Sequence, residues 1–255
     1  MRHLRARLPH EDIVYFADQA HVPYGERSED DLVGLLAQNV AYLESAGADA
    51  VVMGCNTSCA VASRRGWPTS RIPMLDLIDA AAGDVVARTS ARSIGIVATT
   101  ATARSGAYGD AIRRRDPTAV VYEIAAPALV PLVEAGKLAG PETDRAVAEA
   151  CAPLPAGLEA VVLACTHYPL LDDSFAKALG PAVARLDPAV AQAERAVAFV
   201  RERGSSGGTG RTRYVTTGPV EPYRTAIEAI VGPLGVNDSV VHAPLRLAPS
   251  GQAAK

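Results

Sequence analysis

Short apolar runs alternate with longer amphipathic stretches along most of the chain. The run at 12–17 (DIVYFA) precedes a stretch at 30–47 with apolar residues at Leu32, Leu35, Leu36, Val40 and Leu43. Those spacings put one apolar stripe along a helix, which Gly47 closes. The runs at 49–54 (DAVVMG), 72–78 (IPMLDLI), 93–99 (SIGIVAT), 119–125 (AVVYEIA), 159–164 (EAVVLA), 184–187 (ARLD) and 213–217 (RYVTT) predict further strands. Helical pattern separates them, including a helix at 57–65. Continuous Val/Ile/Leu runs bounded by turn residues suit strands covered on both faces. Strand–helix alternation throughout predicts an α/β fold with parallel sheets. The tail from Leu245 to Lys255 is small and polar, and is expected to be loose.

Length and composition narrow the class. The chain has 255 residues, enough for one large domain or two modest ones. Hydrophobic residues make up 49% and charged residues 21%, as in soluble globular proteins. No apolar stretch approaches the ~18 residues of a membrane span. The opening residues carry basic side chains without an apolar core, so no secretory leader is expected. A net charge of −3 gives no electrostatic case for nucleic acid. Four cysteines in this length do not make a disulfide framework, so a reducing cytoplasm is expected. The segment GSSGGTGRTR (204–213) lacks the order of a phosphate loop and precedes a strand, so it reads as a flexible surface loop.

One internal echo carries the chemistry. Residues 48–57 read ADAVVMGCNT and residues 158–166 read LEAVVLACT, placing Cys55 and Cys165 in matched contexts 110 residues apart. Each follows a predicted strand, on the side where open α/β sheets bind ligands. Two opposed thiols in one cleft could invert a stereocentre beside a carboxylate, one removing a proton and the other returning one. A helix N-terminus lowers a thiol pKa, and so does a nearby imidazolium. Both thiols are placed for the first effect, and His167 is placed to give Cys165 the second. A buried cysteine is also commonly a small hydrophobe. Cys59, one helical turn after Cys55, and Cys151, in an Ala-rich helix end, read as packing residues. CxxxC at 55 and 59 has neither a third cysteine at 62 nor a CxxC partner, so no metal site is expected.

Other groups could hold a small anion. ATTATARSGAY (98–108) brings Thr99, Thr100, Thr102 and Ser105 to a helix start, although Thr and Ser also serve there as simple caps. Asn56 and Thr57 follow Cys55 in the same way. Pro23-Tyr24-Gly25 reads as a turn with the Tyr24 hydroxyl and the Gly25 N–H available. Asp18 and His21 are further candidates on an exposed loop, with no second signal to mark them.

Together these segments resemble the aspartate/glutamate racemase family. The matches are VVMGCNTSCA, VVLACTHYPLL, HVPYG, ATTATARSGAY and LVPLVEAG, within a resemblance running over residues 4–243. The resemblance implies two similar doubly wound parallel-sheet α/β domains with the active site in the cleft between them. It implies a division into 1–90 plus 186–255, carrying Cys55, and 91–185, carrying Cys165. By resemblance Cys55 and Cys165 are the two acid/bases and His167 assists Cys165. Tyr24, Gly25, Asn56, Thr57, Thr99, Thr102 and Thr166 would hold the amino acid, and Glu134 matches an acidic position of the family. No cofactor and no metal are implied. HVPYG and CTHYPLL favour glutamate over aspartate, hydantoins or maleate. The implied protein is a cytoplasmic homodimer that racemises glutamate for peptidoglycan synthesis, with no nucleic-acid or membrane partner. Aspartate or a related acid is the alternative substrate, and a non-catalytic pocket for an acidic amino acid is a third reading.

The sequence departs from the family in one main respect. Such proteins open with a strand ending in Asp-Ser-Gly-x-Gly-Gly, whose Asp sits beside the first cysteine and whose Asp and Ser contact substrate. Here the match starts at the following helix, HLRARL, leaving a strand and turn on the order of 15 residues without a counterpart. Two expectations follow: a natural protein with an earlier start, or a short form with little or no activity. Without that segment Cys55 is expected to lose its oriented partner and the first sheet an interior strand. Ala17 and Gln19 stand where Gly and Thr are usual, and Cys59 where a small residue is common.

Overall fold

The computed structural model describes residues 1–89, 93–204 and 207–243. The tail singled out above lies outside them. Nine strands and eleven α-helices are present among the described residues. Helix α1 (Arg2–Arg7) leads to β1 (Ile13–Ala17), two short 3-10 turns (Gln19–His21 and Tyr24–Glu26) and α2 (Glu29–Ser45). Then come β2 (Val51–Val52), α3 (Asn56–Arg65), β3 (Met74–Leu75) and α4 (Leu77–Arg88). The middle of the chain runs β4 (Ser93–Ala98), α5 (Thr100–Ser105), α6 (Ala107–Arg113), β5 (Val120–Ala125), α7 (Leu129–Glu134), α8 (Pro141–Cys151), β6 (Ala160–Ala164), α9 (Asp172–Leu179) and β7 (Ala184–Leu186). Helix α10 (Pro188–Arg203), β8 (Thr212–Thr216), α11 (Val220–Val231) and β9 (Ser239–His242) follow.

All strand pairs are parallel, as the alternation predicts. The middle of the chain forms one four-stranded sheet, β5-β4-β6-β7. Its β6 is fully buried, which explains its unbroken apolar run. The remaining strands form two pieces, β1-β8-β9 and β2-β3. Among the described residues β1 is hydrogen-bonded only to β8, and β2 only to β3. Among the described residues no strand joins these two pieces. A shared core runs beneath both parts. Leu36, Val40, Cys59, Ile78 and Ala82 pack in the same cluster as Ile94, Ile96, Tyr108, Ile112 and Val162.

Local chemistry sets the element ends. Ser28 caps α2 by accepting from Asp31 N–H, and Glu29, Asp30 and Asp31 place acidic charge at its positive end. The stripe Leu32, Leu35, Leu36 and Val40 is buried, as predicted. Asp76 accepts from Ile78 N–H and starts α4 at Leu77. Leu77 and Ile78 are therefore helical, and the strand predicted over 72–78 shortens to Met74–Leu75. Gln192 of α10 ties down the ends of the small sheet, donating to Met53 O at 2.8 Å and Leu75 O at 2.6 Å. The described part of the Gly-rich segment, 207–211, is anchored rather than free. Asp12 Oδ1 accepts from the N–H of Thr209 and Arg211, and Gly208 and Gly210 lie against the backbone of 9–12 with no room for a Cβ.

Candidate active site

Cys55 and Cys165 each end a strand run, after β2 and β6, and they come together between the two parts of the chain. They lie within electrostatic reach of one another, since a Cys55 thiolate would raise the Cys165 pKa. Cys55 is half-buried and is the N-cap residue of α3, its thiol making no cap bond. Cys165 is buried in the apolar cluster of Val161, Leu163, Tyr168 and Phe175.

His167 and Glu134 complete the second thiol's surroundings. Cys165 Sγ lies 3.7 Å from His167 Nδ1, and His167 Nε2 lies 2.6 Å from Glu134 Oε1. An ionised carboxylate only accepts, so the imidazole proton belongs on Nε2, leaving the Nδ1 lone pair for the thiol proton. The sequence predicts a lowered Cys165 pKa, and the structure gives the opposite. Burial pushes the thiol up to about 12, and the backbone N–H groups of His167 and Tyr168 offset this only in part.

Three predicted hydroxyls meet across the site. Thr57 Oγ1 lies 3.0 Å from Thr99 Oγ1 and 3.3 Å from Thr102 Oγ1, and Thr99 donates to Thr102 at 3.0 Å. The ring joins α3 to the start of α5, and all three residues are buried. Thr99 also caps α5, accepting from Thr102 N–H. Asn56 is buried beside them and accepts from the Tyr108 hydroxyl. Its Oδ1 is thereby engaged and its amide hydrogens are left to donate. Gly25 packs on Thr99 so closely that a Cβ would lie 2.9 Å from the Thr99 Cβ. Thr166 is exposed and stands outside this network.

The Tyr24 hydroxyl is not the free donor that the turn predicts. It donates to Asp18 at 2.5 Å and accepts from Asn39 at 3.1 Å. Asp18 is buried, not an exposed-loop residue. Asn39 and Tyr108 are site-side residues that sequence reading missed, and Asp18 entered only as an exposed-loop candidate. They are single polar residues without a repeat or spacing to mark them. The remaining cysteines pack, as predicted. Cys59 is fully buried near the Asp76 carboxylate, and burial pushes Cys151 up to about 11.

Comparison with known proteins shows the family. Residues 1–196 match the Asp/Glu/hydantoin racemase family model. The chain belongs to that family. Its relatives include a glutamate racemase of Desulforudis audaxviator, 36% identical over 242 residues, covering 91% of this chain and 89% of the relative. Among solved structures, a glutamate racemase isoform from Bacillus anthracis superposes with a TM-score of 0.86 at 27% identity, covering 95% of this chain and 91% of that one. The glutamate racemase of Francisella tularensis, solved with D-glutamate, gives 0.85 at 27% identity over 94% and 91%.

Proposed function

We propose that the chain is a glutamate racemase that works by two-base proton transfer between Cys55 and Cys165. The observation that carries the reading is the meeting of two strand-end thiols from repeated sequence contexts, one of them backed by an imidazole and a carboxylate. The names of the relatives support glutamate as the substrate. In one direction a Cys165 thiolate takes the α-proton while the Cys55 thiol gives a proton to the opposite face. In the other direction the roles exchange. A thiol with a pKa near 12 needs help to ionise. His167 Nδ1 supplies it by taking the Cys165 proton, with Glu134 balancing the imidazolium charge. Asn56, Thr57, Thr99, Thr102, Thr166 and the Tyr24-Gly25 turn hold the carboxylates and the ammonium.

The same reading divides the chain into 1–90 plus 186–255 and 91–185, and takes it as a cytoplasmic homodimer supplying D-glutamate for peptidoglycan. Among the described residues no helix is long and apolar enough to cross a membrane. The test is α-proton exchange of L- and D-glutamate in D₂O, followed by NMR. Both enantiomers should exchange, and Cys55→Ser or Cys165→Ser should each slow exchange by about 10³-fold. Absence of exchange from either enantiomer in the unsubstituted protein refutes the reading.

A further inference from the structure

We propose that Asp18 is a positioning residue of this site, acting through Tyr24 to hold the turn at 19–26 against the rim of the first thiol. The inference deepens the racemase reading and rests on it. Asp18 directly follows β1, at the carboxyl end of the strand, where parallel sheets bind ligands. It is 8% exposed. A carboxylate buried to that degree is costly unless donors surround it. Three converge on it. His21 Nδ1 lies 2.6 Å away, the Tyr24 hydroxyl 2.5 Å and the Thr217 hydroxyl 2.7 Å. Its two oxygens have lone pairs enough to accept from all three.

These bonds tie separate segments together. Thr217 follows β8, so Asp18 joins the ends of two paired strands. Thr217 Oγ1 in turn accepts from Ala20 N–H, fixing the start of the turn. On the far side Tyr24 is clamped between Asp18 and Asn39 of α2. The next residue, Gly25, touches Thr99, whose hydroxyl belongs to the buried ring with Thr57 and Thr102. The line Thr217, Asp18, Tyr24, Gly25, Thr99 therefore runs from the strand ends to the substrate-holding hydroxyls. The Tyr24 phenol lies within electrostatic reach of Cys55, which places this line on the first thiol's side.

The experiment is a double-substitution cycle in the full chain with Asp18→Asn, Tyr24→Phe and the pair. Each variant is read by glutamate KM, kcat and melting temperature. Asp18→Asn replaces one accepting oxygen by an amide N–H donor, so the bonds from Tyr24, His21 and Thr217 can no longer all be accepted and the hold on Tyr24 weakens. The glutamate KM should rise about tenfold while kcat stays within about threefold, and Tyr24→Phe should do the same. The pair should be no worse than the worse single variant, because both act on one contact. An unchanged KM in a folded Asp18→Asn variant, or additive effects in the pair, overturns the inference. If Asp18→Asn fails to fold, Tyr24→Phe alone decides, since it leaves the bonds to His21 and Thr217 intact. An unchanged KM there overturns the inference as well. If the unsubstituted protein shows no α-proton exchange, the racemase reading fails separately. The inference is then judged on glutamate Kd by calorimetry, where a tenfold weakening in Asp18→Asn supports it. Equal Kd, or no glutamate binding by the unsubstituted protein, overturns it.

Discussion

Replacing Gly25 by alanine adds one carbon where the site has no space for it. The new Cβ would lie 2.9 Å from the Thr99 Cβ, 3.2 Å from its Cγ2 and 3.4 Å from its Oγ1. Ordinary carbon contacts begin near ~3.5 Å, so the turn and Thr99 must separate by about 0.6 to 1 Å. Thr99 cannot yield without loss, because its hydroxyl bonds Thr57 and Thr102 and also caps α5. The turn resists too, because Tyr24 is held by Asp18 and Asn39. Gly25 has no positive φ, so the backbone itself tolerates alanine and sterics alone carry the cost. Overpacking of this kind costs about 1–3 kcal/mol. A displacement near 1 Å at a site built to orient a substrate costs up to ~10²-fold in kcat/KM. Gly25→Ala is therefore expected to lower kcat/KM for glutamate by about 10- to 100-fold, with a melting temperature only a few degrees lower. The assay is α-proton exchange at several glutamate concentrations together with a thermal melt. A folded Gly25→Ala protein with unaltered kcat/KM would refute the reasoning, because the contact would then not position the site.

Two further predictions rest on ionisation. At pH 8 iodoacetamide should modify Cys55 well ahead of the other thiols, as read by peptide mass spectrometry. Cys55 is half-buried, whereas burial holds Cys165 near 12 and Cys151 near 11 and raises Cys59 as well; labelling of Cys165 first counts against the burial described. Asp79 links α4 to Arg115 and Arg195. Burial raises its carboxyl, but the two guanidinium bonds outweigh that and leave its pKa below the ordinary value. A lowered folded pKa means stability that is present above the unfolded value of about 3.9 and lost as the pH falls through the folded one. Asp79→Asn should cost no more than about 1 kcal/mol at pH 7, given the partial exposure. The gap in melting temperature from the parent should close as the pH is taken below about 4, and a constant gap refutes the assignment.

The parts legible in the sequence were those that repeat or alternate. The buried stripe of α2, the apolar β4 and β6, and the two thiols in matched contexts all carry a period or an echo. The strand β9 has neither, being only four residues long, and it went unseen. Leu77 and Ile78 continue an apolar run, yet they are helical, because the Asp76 side chain satisfies the Ile78 N–H and starts α4. The Cys165 pKa was misjudged for a related reason. The helix-start position and His167 are visible in the sequence, whereas the packing of Phe175 and Tyr168 around the sulfur depends on residues from the whole fold. Asp18 shows the same limit, since its partner Thr217 is 199 residues away.

That separation also bears on the order in which the molecule is made. The four-stranded sheet is complete once Leu186 has emerged from the ribosome, and with it the surroundings of Cys165. Strand β1 has been waiting since the start, because its ladder runs from Ile13↔Thr212 to Ala17↔Thr216. At about 5–20 residues per second, the stretch from Leu186 to Thr216 takes roughly 2–6 s to synthesise. During that time the apolar run Ile-Val-Tyr-Phe-Ala lacks its β8 ladder, and unpaired strand edges are where strands pair wrongly with other chains. A ribosome stalled before Thr212 would release a nascent chain with one finished half and one adhesive strand. Chaperone contacts should therefore concentrate on residues 13–17 until β8 arrives.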